Sequence, residues 1–319
     1  MQVEVTVENV VRGAGGEDPA PSNGGLWVMR PWFGFHDGSY TTFTVGQPAA
    51  TGVEHEAEDG FIGDISNTTI PPDGVANYGN GPRQFQLFAQ QPGASTVQGS
   101  LGGPLAPGLV AKRIFIVDPA DPKSRYLSYI SMVIPSNDAF FGNEDPKAYP
   151  VFDAAGKFLG PITIAVHGSD ILDAGTEVNS ELPADTAFFG QSVGDFGTPE
   201  NGVIHVHPGF NHPASGGILK GGNQFPPGGP MNSFQNADFK LPGYEVAKIT
   251  IALPAPPVLS IKRTGDNYVI SWPADRTLYV LEIANSLPAS AWTRVAGVAK
   301  NSITFKAPSR TQFYRLVRR

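Results

Sequence analysis

Apolar side chains recur at every second position in short runs along this chain, and that period restricts the fold more than any other feature. The run from Val3 to Val11 (VEVTVENVV) is the plainest case. Such alternation sends successive side chains to opposite faces of a pleated strand. Leu26 to Phe35, Thr41 to Val45, Leu109 to Val117, Leu127 to Ile134 and Pro161 to His167 read as further strands. Turn formers separate them: 38 Gly and 30 Pro in 319 residues leave little room for long helices. Val53 to Asp59 (VEHEAED) is the one short helix expected before apolar positions resume at Phe85, Leu87 and Phe88. Asp153-Ala-Ala-Gly156 should turn a hairpin between Tyr149–Phe152 and Lys157–Leu159. The chain is therefore expected to be β-rich and turn-rich, with enough aromatic bulk (20 Phe, 9 Tyr, 4 Trp) to build a real core.

Length argues for two domains, because 319 residues exceed what one core comfortably serves. Pro254-Ala-Pro-Pro257 marks the boundary, since stacked prolines cannot join a ladder and form a semi-rigid spacer. Beyond it six runs follow: Val258 to Arg263, Asn267 to Trp272, Thr277 to Ala284, Trp292 to Val295, Ser302 to Lys306 and Gln312 to Val317. That spacing describes a small β-sandwich with Trp272, Tyr279, Trp292 and Tyr314 as its core. The Gly- and Pro-rich stretch from Thr186 to Asn236 is long for a loop, and Phe196, Phe210, Phe225 and Phe234 make it apolar. Such loops tend to bind partners.

Composition excludes several functions. A net charge of −7 without a Lys/Arg run lacks the footprint of a nucleic-acid binder or of a basic membrane-surface helix. No stretch approaches 18 apolar residues, so no membrane-spanning helix is expected. Zero cysteines removes disulfides, thiolate metal sites and Cys nucleophiles together. No G-x-G-x-x-G or Walker loop is present, and the G-x-S-x-G spelled by Gly190 to Gly194 lies in a Gly- and Pro-rich loop stretch rather than in the strand-to-helix turn of a nucleophile elbow. His167-Gly-Ser169-Asp170 invites a triad but reads better as a strand end and turn. His205-Val-His207, with His212 beyond, could present a zinc face on a strand and support a metal-dependent hydrolase, although no H-E-x-x-H helix accompanies it.

Carboxylates carry the sharper signal. Asp138 follows the strand-like LSYISMVI in Pro135-Ser-Asn-Asp138-Ala-Phe-Phe-Gly142, and Asp173 and Glu177 follow PITIAVH in Leu172-Asp-Ala-Gly-Thr-Glu177. Where the ends of those strands converge, three carboxylates with carbonyls and water could hold Ca²⁺, which takes six to eight oxygens in irregular geometry. The same aspartates could instead merely close Asx-type turns. Glu58 and Asp59 could add outer oxygens or simply end a solvated helix.

These same residues resemble a known family. PSNDAFFG resembles the PS-x-D-W-x-V-G segment of the spondin N-terminal domain, and LDAGTE resembles its W-D-A-G-T-D/E segment. Gly34-Phe-His-Asp-Gly-Ser-Tyr40, Val45 to Val53, Ala57-Glu-Asp-Gly60 and Leu241 to Ile249 agree as well. The resemblance covers residues 1 to 253. It implies an all-β, C2-like antiparallel β-sandwich with Ca²⁺ held by Asp138, Asp173 and Glu177. Ala139 and Leu172 stand where the family has aromatic residues, and the animal members' cysteines are absent, which points to a bacterial member. The pattern from Leu259 to Leu316 resembles a short C-terminal β-module of secreted bacterial proteins. The expected organisation is a β-sandwich over 1–253, a linker over 254–257 and a small β-domain over 258–319. Met1-Gln-Val-Glu-Val-Thr-Val enters a strand at once and leaves no room for a signal peptide, so the chain reads either as cytosolic or as the mature part of a secreted or cell-surface protein given a new start; the resemblance implies the second. The expected function is a non-enzymatic calcium-binding adhesion, matrix or surface-assembly protein whose partner is a matrix or cell-surface ligand. Self-association into an extracellular filament and the His205/His207/His212 hydrolase are the alternatives.

Overall fold

The computed structural model describes the chain apart from residues 14, 21–22, 64–81, 184, 188, 190, 192–196, 212–216, 221–222, 225–230, 233, 275–277, 290, 307, 309 and 319. It is an all-β protein, 38% strand and 9% helix, with antiparallel sheets. It divides into two compact units, Val3–Ala252 and Leu253–Arg319, the second also including Met1–Gln2.

In the large unit, β1 (Gln2–Asn9), β4 (Val110–Ile116), β7 (Ile162–His167) and β12 (Glu245–Ala252) form a four-stranded sheet in the order β4-β1-β12-β7. A six-stranded sheet runs β3-β2-β5-β6-β8-β9, from β2 (Trp27–His36), β3 (Ala94–Ser100), β5 (Tyr126–Ile134), β6 (Ala139–Gly142), β8 (Leu172–Asp173) and β9 (His205–Val206). The two sheets face each other. Phe35 of β2 meets Phe115 of β4 edge-on at 5.6 Å, and Val3, Val5, Val7, Ile249 and Ile251 are fully buried.

The opposite face of the six-stranded sheet is also buried, under α1 (Thr51–Asp59) and α2 (Gln84–Ala89). Trp32, Ile130, Phe140 and Leu172 on the sheet pack with Val53 and Ala57 of α1 and Phe88 of α2. A bulge explains why β2 can serve both layers. Register shifts between Met29 and Trp32, where Arg30 takes a φ of 40° and Pro31 has no N–H to give the ladder. The extra residue keeps Met29 and Trp32 on the helix side, while Phe33 and Phe35 face the other sheet.

Some expectations need correcting. Thr41 to Val45 is a turn, not a strand; Tyr40 and Phe43 reach the core from it, and Gly46, at φ 83°, donates its N–H to the Ile204 carbonyl. The expected strand around His205-Val-His207 is only the two residues of β9. Of the four phenylalanines that suggested an exposed loop, Phe210 and Phe234 are buried, and Phe196 and Phe225 lie outside the described residues. In that stretch β10 (Asn223–Gln224) pairs with β11 (Met231–Asn232), and buried Glu181 accepts N–H groups from Asn211 and Ile218.

The small unit folds as two three-stranded sheets. β13 (Ser260–Thr264), β14 (Asn267–Ser271) and β17 (Ser302–Lys306) form one; β15 (Tyr279–Ala284), β16 (Thr293–Arg294) and β18 (Phe313–Arg318) form the other. Ile270, Trp272 and Leu281 make its buried centre, ringed by Phe305, Tyr314 and Leu316. Trp292, expected in this core, is half-buried and carries Arg315 over its ring at 4.3 Å.

Candidate metal centre

Neither aspartate sits on a free loop: Asp173 lies in β8, and Asp138 immediately precedes β6, the neighbouring strand. After β5, Ser136 closes a turn by donating its hydroxyl to the Val133 carbonyl at 2.7 Å and accepting the Ala139 N–H at 3.2 Å. That turn delivers Asp138 to the start of β6, where Ala139 pairs with Asp173 of β8. The Ala174 N–H then bonds the Asp138 carbonyl at 3.1 Å. Beyond β8 the chain doubles back through Gly175 at φ 68°, and a Cβ there would lie 2.6 Å from the Val203 backbone, so only glycine fits.

This return folds the third acid onto the first. Asp138 Oδ2 accepts the N–H of Thr176 at 2.8 Å, the Thr176 hydroxyl at 3.1 Å and the N–H of Glu177 at 3.0 Å. Asp173 Oδ1 accepts the Gly175 N–H at 2.8 Å, which is the Asx turn that the residue type suggests, and its Oδ2 accepts from the Asn179 amide. The Glu177 carboxylate accepts the N–H of Gly197, where a Cβ would come 2.6 Å from it. Asp138 Oδ1 is different: it is buried and no hydrogen-bond donor reaches it.

Burial dominates the electrostatics. It pushes the Asp138 carboxyl up to about 6, Asp173 adds to this, and the Thr176 and Glu177 amides oppose it. Burial likewise raises Glu177 to about 8 against the pull of the Gly197 amide, with Asp138 and Asp59 raising it further. Glu58, buried in the last turn of α1, is raised to about 9, first by burial and then by Glu177, while a hydrogen bond from Thr176 opposes the shift. The acids thus form one connected buried group reaching from β6 to α1. Unless a cation is present, such a group relieves its repulsion by holding protons.

The donor set suits a hard cation. A carboxylate oxygen that accepts one hydrogen bond still has a second lone pair, and Asp138 Oδ1 has both. Among the described residues, however, the group whose ligand atoms lie within 4.8 Å of one another is His55, Glu58 and Asp59, not Asp138, Asp173 and Glu177. The latter three are gathered by strand pairing and by amide bonds to Asp138, and side-chain adjustment would be needed to bring all three onto one ion. Burial holds the His55 imidazole at about 4, with Arg83 lowering it further, so it is neutral near pH 7.

The histidines expected to form a zinc face do not share a surface. His205 is exposed, with Nε2 3.7 Å from Asp173 Oδ2, whereas His207 is buried between Phe210 and Phe239. His207 Nδ1 accepts the Gly209 N–H at 3.0 Å, and burial lowers its pKa to about 4. His212 lies outside the described residues. In the triad-like segment, Asp170 accepts the N–H of His167 at 2.8 Å and simply caps a 3₁₀ turn over Gly168–Asp170. Sequence reasoning overlooked His55, although its spacing to Glu58 and Asp59 (i, i+3, i+4) was a readable signal.

No protein-family model matches this chain, and no curated protein matches it. Among the described residues no helix is long and apolar enough to cross a membrane.

Proposed function

We propose that this chain is a calcium-binding β-sandwich protein, secreted or displayed at a cell surface, that acts without catalysis in adhesion, matrix or surface assembly. Asp138, Asp173 and Glu177 are its Ca²⁺ ligands, as the resemblance to spondin N-terminal domains implies. The observation that carries the reading is Asp138 Oδ1, a buried carboxylate oxygen with no donor, set among other buried acids. Three carboxylates give −3 against +2, a charge count suited to a calcium-rich exterior. Bound Ca²⁺ would supply the positive charge that the forces on Asp138 and Glu177 lack: burial and neighbouring acids raise both, and only hydrogen bonds oppose.

The test is thermal melting of EDTA-stripped protein with and without Ca²⁺, alongside calorimetric titration. At a hundredfold excess over the dissociation constant, Ca²⁺ should stabilise the large unit by about 2.7 kcal/mol. Asp173→Asn keeps an oxygen for the Gly175 N–H but loses the charge, so it should abolish most of that gain. Identical melting in Ca²⁺ and EDTA, with Asp173→Asn behaving as the parent, would sink the proposal and leave these acids as turn residues.

A further inference from the structure

Helix α1 ends in an arrangement that its own physics disfavours. Residues 55, 58 and 59 fall on one face, and there His55 Nδ1 or Nε2 and one oxygen each of Glu58 and Asp59 lie within 4.8 Å of one another. Two of the three side chains are buried, His55 at 4% exposed and Glu58 at 8%. The carboxylates occupy the last helical turn, where the backbone dipole is negative and where no basic side chain of the helix answers them.

His55 gives the independent sign of a ligand. Neither ring nitrogen has a hydrogen-bond partner, although a neutral imidazole carries both a donor and an acceptor. Buried polar groups are rarely left so, and an unmet one calls for a water or an ion. Here the open ring faces two carboxylate oxygens.

The chemistry selects the ion. Two carboxylates balance a dication, but Arg83, stacked on Phe61 at 5.0 Å, also acts on Asp59 and His55 and leaves the set short of charge. A hard, oxygen-seeking ion such as Ca²⁺ gains little at such a set. An ion that bonds well to imidazole gains the nitrogen as well. Zinc bonds of about 2.0–2.2 Å place donors roughly 3.3 Å apart in a tetrahedron, so atoms already within 4.8 Å of one another need to close by at most about 1.5 Å. Asp59, the more exposed of the carboxylates, can move and also gives a path of entry.

We propose that His55, Glu58 and Asp59 form a second metal site, for a divalent transition ion of the zinc class, with its remaining coordination open to water. It has its own donors and does not rest on the Ca²⁺ reading. The test uses EDTA-stripped, desalted full-length protein in saturating CaCl₂, titrated with ZnCl₂ by calorimetry and with CoCl₂ by visible absorption. The expected result is one equivalent of Zn²⁺ bound despite the Ca²⁺, and cobalt bands characteristic of a nitrogen-ligated, low-coordinate ion that Zn²⁺ erases. His55→Gln, which keeps the volume and removes the nitrogen, should weaken Zn²⁺ binding by more than about 100-fold. Asp173→Asn should leave Zn²⁺ binding unchanged, which separates failure here from failure of the Ca²⁺ site. Should His55→Gln not fold, Asp59→Asn takes its place, with circular dichroism as the control for folding. An adventitious site on exposed His205 or His167 would survive both substitutions. Finding that, or finding no bound Zn²⁺ in the parent, overturns the proposal.

Discussion

The two units solve the problem of burial in opposite ways. The large one takes carboxylates into its interior: Glu56, Glu58, Asp138, Asp173, Glu177 and Glu181 are all buried. In the small one, among the described residues from Leu253 onward, every buried side chain is apolar or aromatic, and the charged groups stay on the sheet surfaces; the unit's one buried polar side chain is the uncharged Gln2. Burying an ionised carboxylate costs far more than a small domain can lose, unless hydrogen bonds, protons or a cation meet the charge. A unit that keeps six has a use for them, or at least a partner. The small unit poses no such problem of buried charge, so the question of what meets the charge belongs to the large one.

The sharpest way to break this contrast is to damage the small core and watch the large unit. Trp272 is buried with Ile270 and Leu281, and its truncation to Ala should cost about 3–5 kcal/mol. For a module of this size that is comparable to its whole stability. Calorimetry should show the small unit's transition collapse while the large unit keeps its melting temperature and its response to Ca²⁺. If instead a single transition shifts as a whole, the units are one cooperative body and the contrast is only one of composition.

A smaller effect, confined to the large unit, should appear with pH. For Glu177 and Glu58, raised to about 8 and about 9, the folded state holds protons that the unfolded state has already lost. Stability from these groups is full below the ordinary carboxylate range and falls as pH rises through the raised values. His36, His55 and His207, held at about 4 by burial, act oppositely, adding stability as pH rises from 4 to about 6.5. The carboxylate signature is therefore cleanest from pH 7 to 9, where metal-free protein should lose melting temperature in the large transition only. Ca²⁺ should widen its advantage over EDTA across the same range, because it binds the deprotonated acids. A metal-free large unit that melts higher at pH 9 than at pH 7 would contradict the buried-acid account.

What the sequence made legible follows the same division. Asp138 and Asp173 stood out because tight turns are local: PSND and LDAG place acids after strands by their own geometry. Their adjacency across β6 and β8 was not legible, since those strands have four and two residues and exist only through long-range pairing. The α1 helix was visible as VEHEAED, yet so polar a segment reads as a solvated face. Its burial comes from β5, where the Met132 N–H reaches Glu56 Oε1 at 3.2 Å, a contact between residues far apart in the chain. His55 was missed for that reason. The six runs of the small unit all became strands: in β14, β15, β17 and β18 alternation places Ile270, Leu281, Ile303, Phe305, Tyr314 and Leu316 on the core, while β13 and β16 are exposed along their length and are held by ladder pairing. Thr41 to Val45 misled because Tyr40 and Phe43 fill the core from a turn closed by Gly46, which no period reveals.

The smallest effect tests whether the small unit's charges matter at all. Arg315 on β18 reaches across to Glu282 on β15 at 2.7 Å, its register partner, and lies over the Trp292 ring at 4.3 Å. The pair is partly solvated, with Arg315 46% and Glu282 20% exposed. Such pairs contribute about 0.2–1 kcal/mol, and an exposed cation–π contact adds about 0.5–1 kcal/mol. Arg315→Ala should therefore lower the small unit's stability by about 1 kcal/mol, visible as a few degrees in its own transition. Concentrated NaCl should shrink the ionic share while leaving the part due to stacking on Trp292. A double-mutant cycle with Glu282→Gln, run at low and high salt, separates the two shares. A coupling well above 2 kcal/mol that salt does not reduce would mean that this pair behaves as a desolvated one, and the small unit would then depend on a charge much as the large one does.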